Sequence, residues 1–119
     1  MDAPSSSWGR KEGWYFVKQP YVYILASERN GTLYTGVTSN LPDRVSMHKQ
    51  DLLEGFTKRY QVHHLVYYEM NITMDDAIKR EKQLKEWQRA WKLRLIENMN
   101  PEWFNLYDDK TRAILDGPR

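Results

Sequence analysis

Tyr34, Arg44 ten residues later, His48 four beyond it and the more distant Glu81 are the side chains whose types and spacing could do chemistry together. A helix through Arg44 and His48 would display a fixed cation and a titratable base on one face, since residues four apart share a face. A solvated polar face would give the same spacing. Glu81 lies four residues after Ala77 and three before Leu84, inside an apolar stripe at helical spacing that continues to Trp91 and Leu95. A carboxylate in that stripe points toward a sheet or its edge, and there it needs a cation or a metal, because burying it unpaired is costly. Lys85, one helical turn on, is the simplest partner.

These side chains require a scaffold, and its elements are legible in the chain. "YVYILAS", Tyr21 to about Ser27, is β-branched and aromatic and reads as a strand. "RNG" at Arg29 to Gly31 marks a hairpin, since Asn-Gly accepts the positive φ of a tight turn, and Thr32 to Val37 reads as the second strand. With Asn30 and Gly31 as a two-residue turn, Arg29 faces Thr32, Ser27 faces Tyr34 and Leu25 faces Gly36. Tyr23, Tyr34 and Gly36 then share one face, with an open floor above the glycine; two core aromatics beside a sterically required glycine is the competing reading.

Asn40 can cap a helix from Leu41 to about Gln50, with Pro42 in its first turn. "LLEGFTKRYQVH" reads as a loop, and His64 to Met70 as the third strand. Thr73 with Asp76 resembles a capping box that opens a helix running through Trp87; a further helical stretch from about Arg89 to Asn98 is stopped by "NPEW". The expected fold class is α/β (α+β): a small three-stranded antiparallel or mixed sheet, opened by a β-hairpin and flanked by helices. Residues 1–19 read as a flexible arm or an extension, with Val17 a plausible native start, 20–107 as one domain, and 108–119 as a tail in which "TRAILD" could hold a turn.

Composition sets the bounds. At 119 residues, 40% hydrophobic and 29% charged, the chain suits one globular domain. No run is long and apolar enough for a membrane span, and a cytoplasmic location is the default. The absence of cysteine excludes disulfides, thiolate nucleophiles and cysteine zinc sites. The net charge of +2 is unremarkable, but Lys79, Arg80, Lys82, Lys85, Arg89, Lys92 and Arg94 fall in one short region rich in tryptophan. That region is either a solvated basic face or a nucleic-acid footprint.

Taken together, the motifs resemble the GIY-YIG nucleases. "YVY" at Tyr21 to Tyr23 stands for the first name-giving motif, with Tyr21 in place of its glycine, and "YTG" at Tyr34 to Gly36 for the second. Arg44, His48 and Glu81, the last within "REKQLK", match the family's arginine, its histidine or tyrosine, and its glutamate; Asn105 in "PEWFNLY" matches a terminal asparagine. The likeness covers about residues 20–107 and is greatest to small stand-alone bacterial members, akin to excision-repair nuclease C and the URI-domain endonucleases. Val37 stands where some relatives carry a lysine that would acidify the tyrosine.

The resemblance implies a metal-dependent endonuclease acting on DNA, ahead of RNA, as a monomer or weak homodimer, structure-selective and linked to DNA repair or turnover. Glu81 would hold a single magnesium or manganese ion, Arg44 grip the scissile phosphate, Tyr34 position or deprotonate water, His48 accept that proton or hold phosphate, and Tyr23 orient the water. Gly36, Lys58, Arg59, Lys79, Lys82, Lys85, Arg89 and Asn105 would contact substrate. The alternative is a catalytically weak or inactive nucleic-acid-binding module of the same fold.

Overall fold

A computed structural model describes residues 19–50 and 55–115; the expected N-terminal arm, apart from Gln19, and the last four residues of the tail lie outside the described residues. The continuous apolar run of the first strand has a direct structural cause. This strand, β1 (Tyr21–Ala26), is the middle of a three-stranded sheet ordered β2-β1-β3, with β2 at Leu33–Thr38 and β3 at His64–Met70, and all its pairings are antiparallel. Helices cover one face and a helix with loops covers the other, so every residue from Val22 to Ala26 is buried.

Tyr23 and Leu25 point to the first face, where they pack with Leu41 and Val45 of α1 (Leu41–Lys49) and with Val62, Leu65, Leu106 and Tyr107. Val22, Ile24 and Ala26 point to the second, against α3 (Met74–Glu86) and α4 (Arg89–Met99), through Ala77, Leu84 and Ile96. Local signals set these helices as expected. Asn40 accepts from the Asp43 N–H with Pro42 in the first turn, and Thr73 accepts from the Asp76 N–H.

The hairpin departs from the two-residue turn expected of "RNG". Tyr34 faces Leu25 and Gly36 faces Tyr23, which shifts the register by two residues and makes the loop Glu28–Gly31. Ser27 Oγ accepts from the Thr32 N–H, and the Gly31 N–H bonds the Glu28 carbonyl, so the wider loop satisfies more backbone. An even shift preserves the face of every side chain, and Tyr23, Tyr34 and Gly36 remain together.

Three further elements differ from expectation. The loop after α1 contains a short helix, α2 (Phe56–Tyr60), entered at Gly55 with φ of 103°. The stripe through Trp91 breaks, because Trp87 and Gln88 are extended between α3 and α4 and re-phase the second helix; Trp91 is 47% exposed. Part of the tail forms a second hairpin, β4 (Tyr107–Asp108) with β5 (Ala113–Ile114), whose Ile114 packs on the first core. Among the described residues no helix is long and apolar enough to cross a membrane.

Asn100 joins α4 to this scaffold. It is fully buried at the end of α4, donates to the Val66 and Phe104 carbonyls and accepts from the Phe104 N–H. Replacing it by alanine strands those backbone groups, so Asn100→Ala is expected to lose about 2–3 kcal/mol in urea unfolding. A loss under about 0.5 kcal/mol would show that water replaces the amide.

Candidate active site

Tyr23 is the side chain on which the sequence-predicted groups converge. Its ring lies over Gly36 so closely that a Cβ at that position would sit 2.5 Å from the phenol Cζ and oxygen. The glycine is therefore a seat for Tyr23; the open floor expected above it is filled by the phenol itself. The hydroxyl then meets His48 Nε2 at 3.0 Å, with donor and acceptor set by the tautomer, and His48 Nδ1 lies 2.9 Å from Thr57 Oγ1. Three elements, β1, α1 and α2, are joined by this buried chain of hydroxyl, imidazole and hydroxyl.

His48 is 2% exposed and both ring nitrogens are engaged. The sequence suggested a base displayed beside Arg44 or a hand for phosphate; the structure encloses the ring and makes it the brace of Tyr23. Burial pushes its pKa down to about 4, with Arg44 and then His63 adding to the effect. The Tyr23 hydroxyl is raised well above the usual phenol range, first by burial, then by Tyr34 and Glu81, against the opposing pull of Arg44. Near neutral pH the pair is a neutral phenol beside a neutral imidazole.

Tyr34 completes an aromatic trio, its ring centroid 6.3 Å from Tyr23 and 5.4 Å from His48. Arg44, half-exposed on α1, acts on both Tyr23 and His48, and no carboxylate among the described residues pairs with its guanidinium. Glu81 arrives from α3, which packs on the edge strand β2; its side chain is 15% exposed and its Oε2 lies 2.8 Å from Lys85 Nζ. Both expectations for Glu81 hold at once: it lies near the sheet, and it pairs with Lys85.

The rotation of α3 that presents Glu81 is set one residue earlier. Arg80 Nε bonds Glu69 Oε2 at 2.9 Å, Tyr67 donates to Glu69 Oε1 at 2.6 Å, and the guanidinium lies 5.2 Å from the Trp87 ring centre. Neither Glu69 nor Thr57 was singled out from sequence. Glu69 alternates as an ordinary strand residue, and Thr57 sits in a five-residue helix with no period to read.

The expected substrate-contact residues divide. Lys79, Lys82 and Lys85 are exposed on α3, and Lys58 and Arg59 on α2, the latter 5.6 Å from the Tyr60 ring centre. Arg89 is committed elsewhere: its Nη2 bonds the Asn30 and Gly31 carbonyls at 2.8 and 2.6 Å, clamping the hairpin loop. Asn105 likewise serves the fold, its Oδ1 accepting from the Leu65 and Tyr107 N–H groups.

The pKa of His48 has a consequence for stability. The folded value near 4 lies below the ordinary 6.5, so the unfolded chain binds more protons between them. The His48 contribution is present above pH 6.5 and lost as pH falls toward 4, at up to about 1.4 kcal/mol per pH unit. An NMR titration should show the His48 ring neutral at pH 5.5, about 1.5 units above its folded pKa. A midpoint near 6.5 would contradict the enclosure.

The GIY-YIG catalytic domain matches residues 19–94. UPF0213 proteins of Staphylococcus aureus, strains Mu3 / ATCC 700698 and Mu50 / ATCC 700699, are each 40% identical over 77 residues, covering 65% of this chain and 93% of the relative. The solution NMR structure of the UPF0213 protein BH0048 from Bacillus halodurans has a TM-score of 0.43 and 26% identity, over 67% of this chain and 84% of that one. The matched segment holds Tyr23, Tyr34, Arg44, His48 and Glu81 and spans more than half of the sequence: the chain belongs to the GIY-YIG catalytic domain family, a nuclease superfamily.

Proposed function

We propose that this protein is a metal-dependent endonuclease that hydrolyses phosphodiester bonds in DNA, selecting structure over sequence, in the repair or turnover of DNA in the cytoplasm. The observation that carries the reading is the convergence on Tyr23: one braced phenol is acted on by a second tyrosine, an arginine without a carboxylate partner among the described residues, and a carboxylate from a distant helix. A module that only binds nucleic acid needs the cations and has no use for the carboxylate.

Among the described residues no group of three or more His, Asp or Glu is placed to hold a metal. A single half-buried carboxylate is a hard oxygen ligand that suits magnesium, or manganese, which keeps water and substrate oxygens as its other ligands. Glu81 would hold that ion, which supplies Lewis acidity and positive charge against the phosphate oxygens.

The remaining work falls to the chain's own side chains. Arg44 grips the scissile phosphate with its planar fork and offsets the charge that grows in the transition state. Tyr23, held as a phenol by burial and by His48, keeps its proton and orients the attacking water. The base role therefore passes to Tyr34: its phenolate takes the water proton while the water oxygen bonds to phosphorus and the bond from phosphorus to the leaving oxygen breaks, that oxygen taking a proton from solvent. Lys79, Lys82, Lys58 and Arg59 track backbone phosphates and position the duplex without reading bases. Acting as a monomer or weak homodimer, a domain this small would cut both strands in two visits or as a pair.

With magnesium and a panel of nicked, branched and single-stranded DNAs, the protein is expected to cleave. Glu81→Ala should lower the rate at least about a hundredfold while DNA affinity stays within about threefold. Tight binding by the native protein with no cleavage of any substrate would establish the binding-module alternative instead.

A further inference from the structure

At the outer edge of β2, Leu33, Tyr34 and Thr35 line a cleft whose other wall is Lys85 near the end of α3 and Lys92 of α4. Among the described residues the edge strand pairs only with β1, so alternate backbone N–H groups of β2 point away from the sheet on this side. Both charged walls of the cleft are cations. Lys92 is half-buried, and no carboxylate among the described residues pairs with it. Burial, then Arg89 and Lys85, hold its ammonium below the usual lysine range. Since Arg89 is fixed on the hairpin carbonyls, Lys85 and Lys92 are the cations that line the cleft beside the edge strand. Such a grouping is unfavourable when empty and favourable around an anion.

Lys85 belongs to two places. Its ammonium is 2.8 Å from Glu81 Oε2, yet the same side chain forms part of the cleft wall and is 50% exposed. A flexible four-carbon stem lets the charge move between them without moving the helix.

We propose that this cleft is a second phosphate subsite, in which Lys92 and Lys85 hold a backbone phosphate flanking the scissile one, and that Lys85 leaves Glu81 to do so. The proposal rests on the reading of Glu81 as the metal ligand. In the free protein Lys85 matches the half-buried carboxylate and spares it an unpaired charge. A strand phosphate in the cleft draws the ammonium away, and Glu81 is left with a need for positive charge that a divalent ion meets. Nucleic acid and metal therefore bind with positive coupling, which is reciprocal by thermodynamic necessity. Lys85 acts as a placeholder for the metal until a strand arrives.

The test is a calorimetric titration of manganese into the full chain, with and without a short oligothymidylate whose phosphorothioate linkages block cleavage. In the native protein the oligonucleotide should tighten manganese binding by about tenfold. Lys85→Met should tighten it about tenfold without oligonucleotide and abolish the coupling, whereas Lys85→Arg, which can remake the pair, should keep both native values. Arg94→Met removes a like charge from an exposed position on the neighbouring helix and should change manganese affinity by less than about twofold, which separates pairing from the general field. Lys92→Met should weaken the oligonucleotide about tenfold and leave manganese affinity in its absence within about twofold of native.

If manganese binding is lost in Glu81→Gln, yet neither the oligonucleotide nor Lys85→Met alters it in the native background, the placeholder is overturned while the metal reading stands. If manganese binds Glu81→Gln as well as the native protein, the metal reading falls and takes the placeholder with it. Circular dichroism melts of each variant show that the comparison is among folded proteins.

Discussion

The contact between the Tyr23 hydroxyl and His48 Nε2 fixes the position of the central strand's phenol, and the rest of the site is arranged around that point. It is possible because Gly36 has no side chain to occupy the space, and because Thr57 holds the other ring nitrogen and so sets the plane of the imidazole. Enclosure has an electrostatic result as well. It keeps the imidazole neutral and the phenol protonated, so this buried hydrogen bond carries no net charge. A charged histidine there would have to face Arg44 with no carboxylate to share between them among the described residues.

The sheet divides the labour between its faces. On one face lie Tyr23, Tyr34 and α1 with Arg44 and His48; on the other, α3 and α4 pack through Ala77, Leu84 and Ile96. Glu81 belongs to a helix of the second face and still adds to the upward shift of the Tyr23 hydroxyl, so charge on one face is felt on the other beside the edge strand β2. An edge strand usually has to be protected. Here the helix ends, with Lys85 and Lys92, stand beside it, and the ion pair of Arg80 with Glu69 ties α3 to β3 in the rotation that puts Lys85 there.

Much of this was legible from local patterns. The three strands, the caps at Asn40 and Thr73 and the inward stripe at Ala77 and Leu84 follow from propensity and period. The hairpin register differs by two residues from the one "RNG" implies, because that tripeptide signals a tight turn whatever its neighbours do, while Ser27 and Thr32 close a wider one. The facing of Tyr23, Tyr34 and Gly36 survived because a strand repeats every two residues. What escaped was long-range. Asn105 has a partner 40 residues away, His48 one 25 away and Arg89 two nearly 60 away, so no local pattern could say whether these polar side chains meet substrate or backbone. The boundary between Trp87 and Arg89 is legible in the sequence, but not the phase of the second helix: the stripe runs on in sequence while the extended Trp87 and Gln88 turn Trp91 outward.

Two tyrosines with different surroundings are the heart of the account: one enclosed and kept as a phenol, the other at the cleft and assigned the proton. Single-turnover cleavage of a nicked DNA by Tyr34→Phe, at saturating protein and magnesium, addresses that division most directly. The account predicts a loss of at least about a hundredfold in the cleavage rate with DNA affinity and the melting temperature nearly unchanged. Cleavage within about threefold of the native rate would contradict it, and would mean that the proton leaves the water by a route that does not pass through Tyr34.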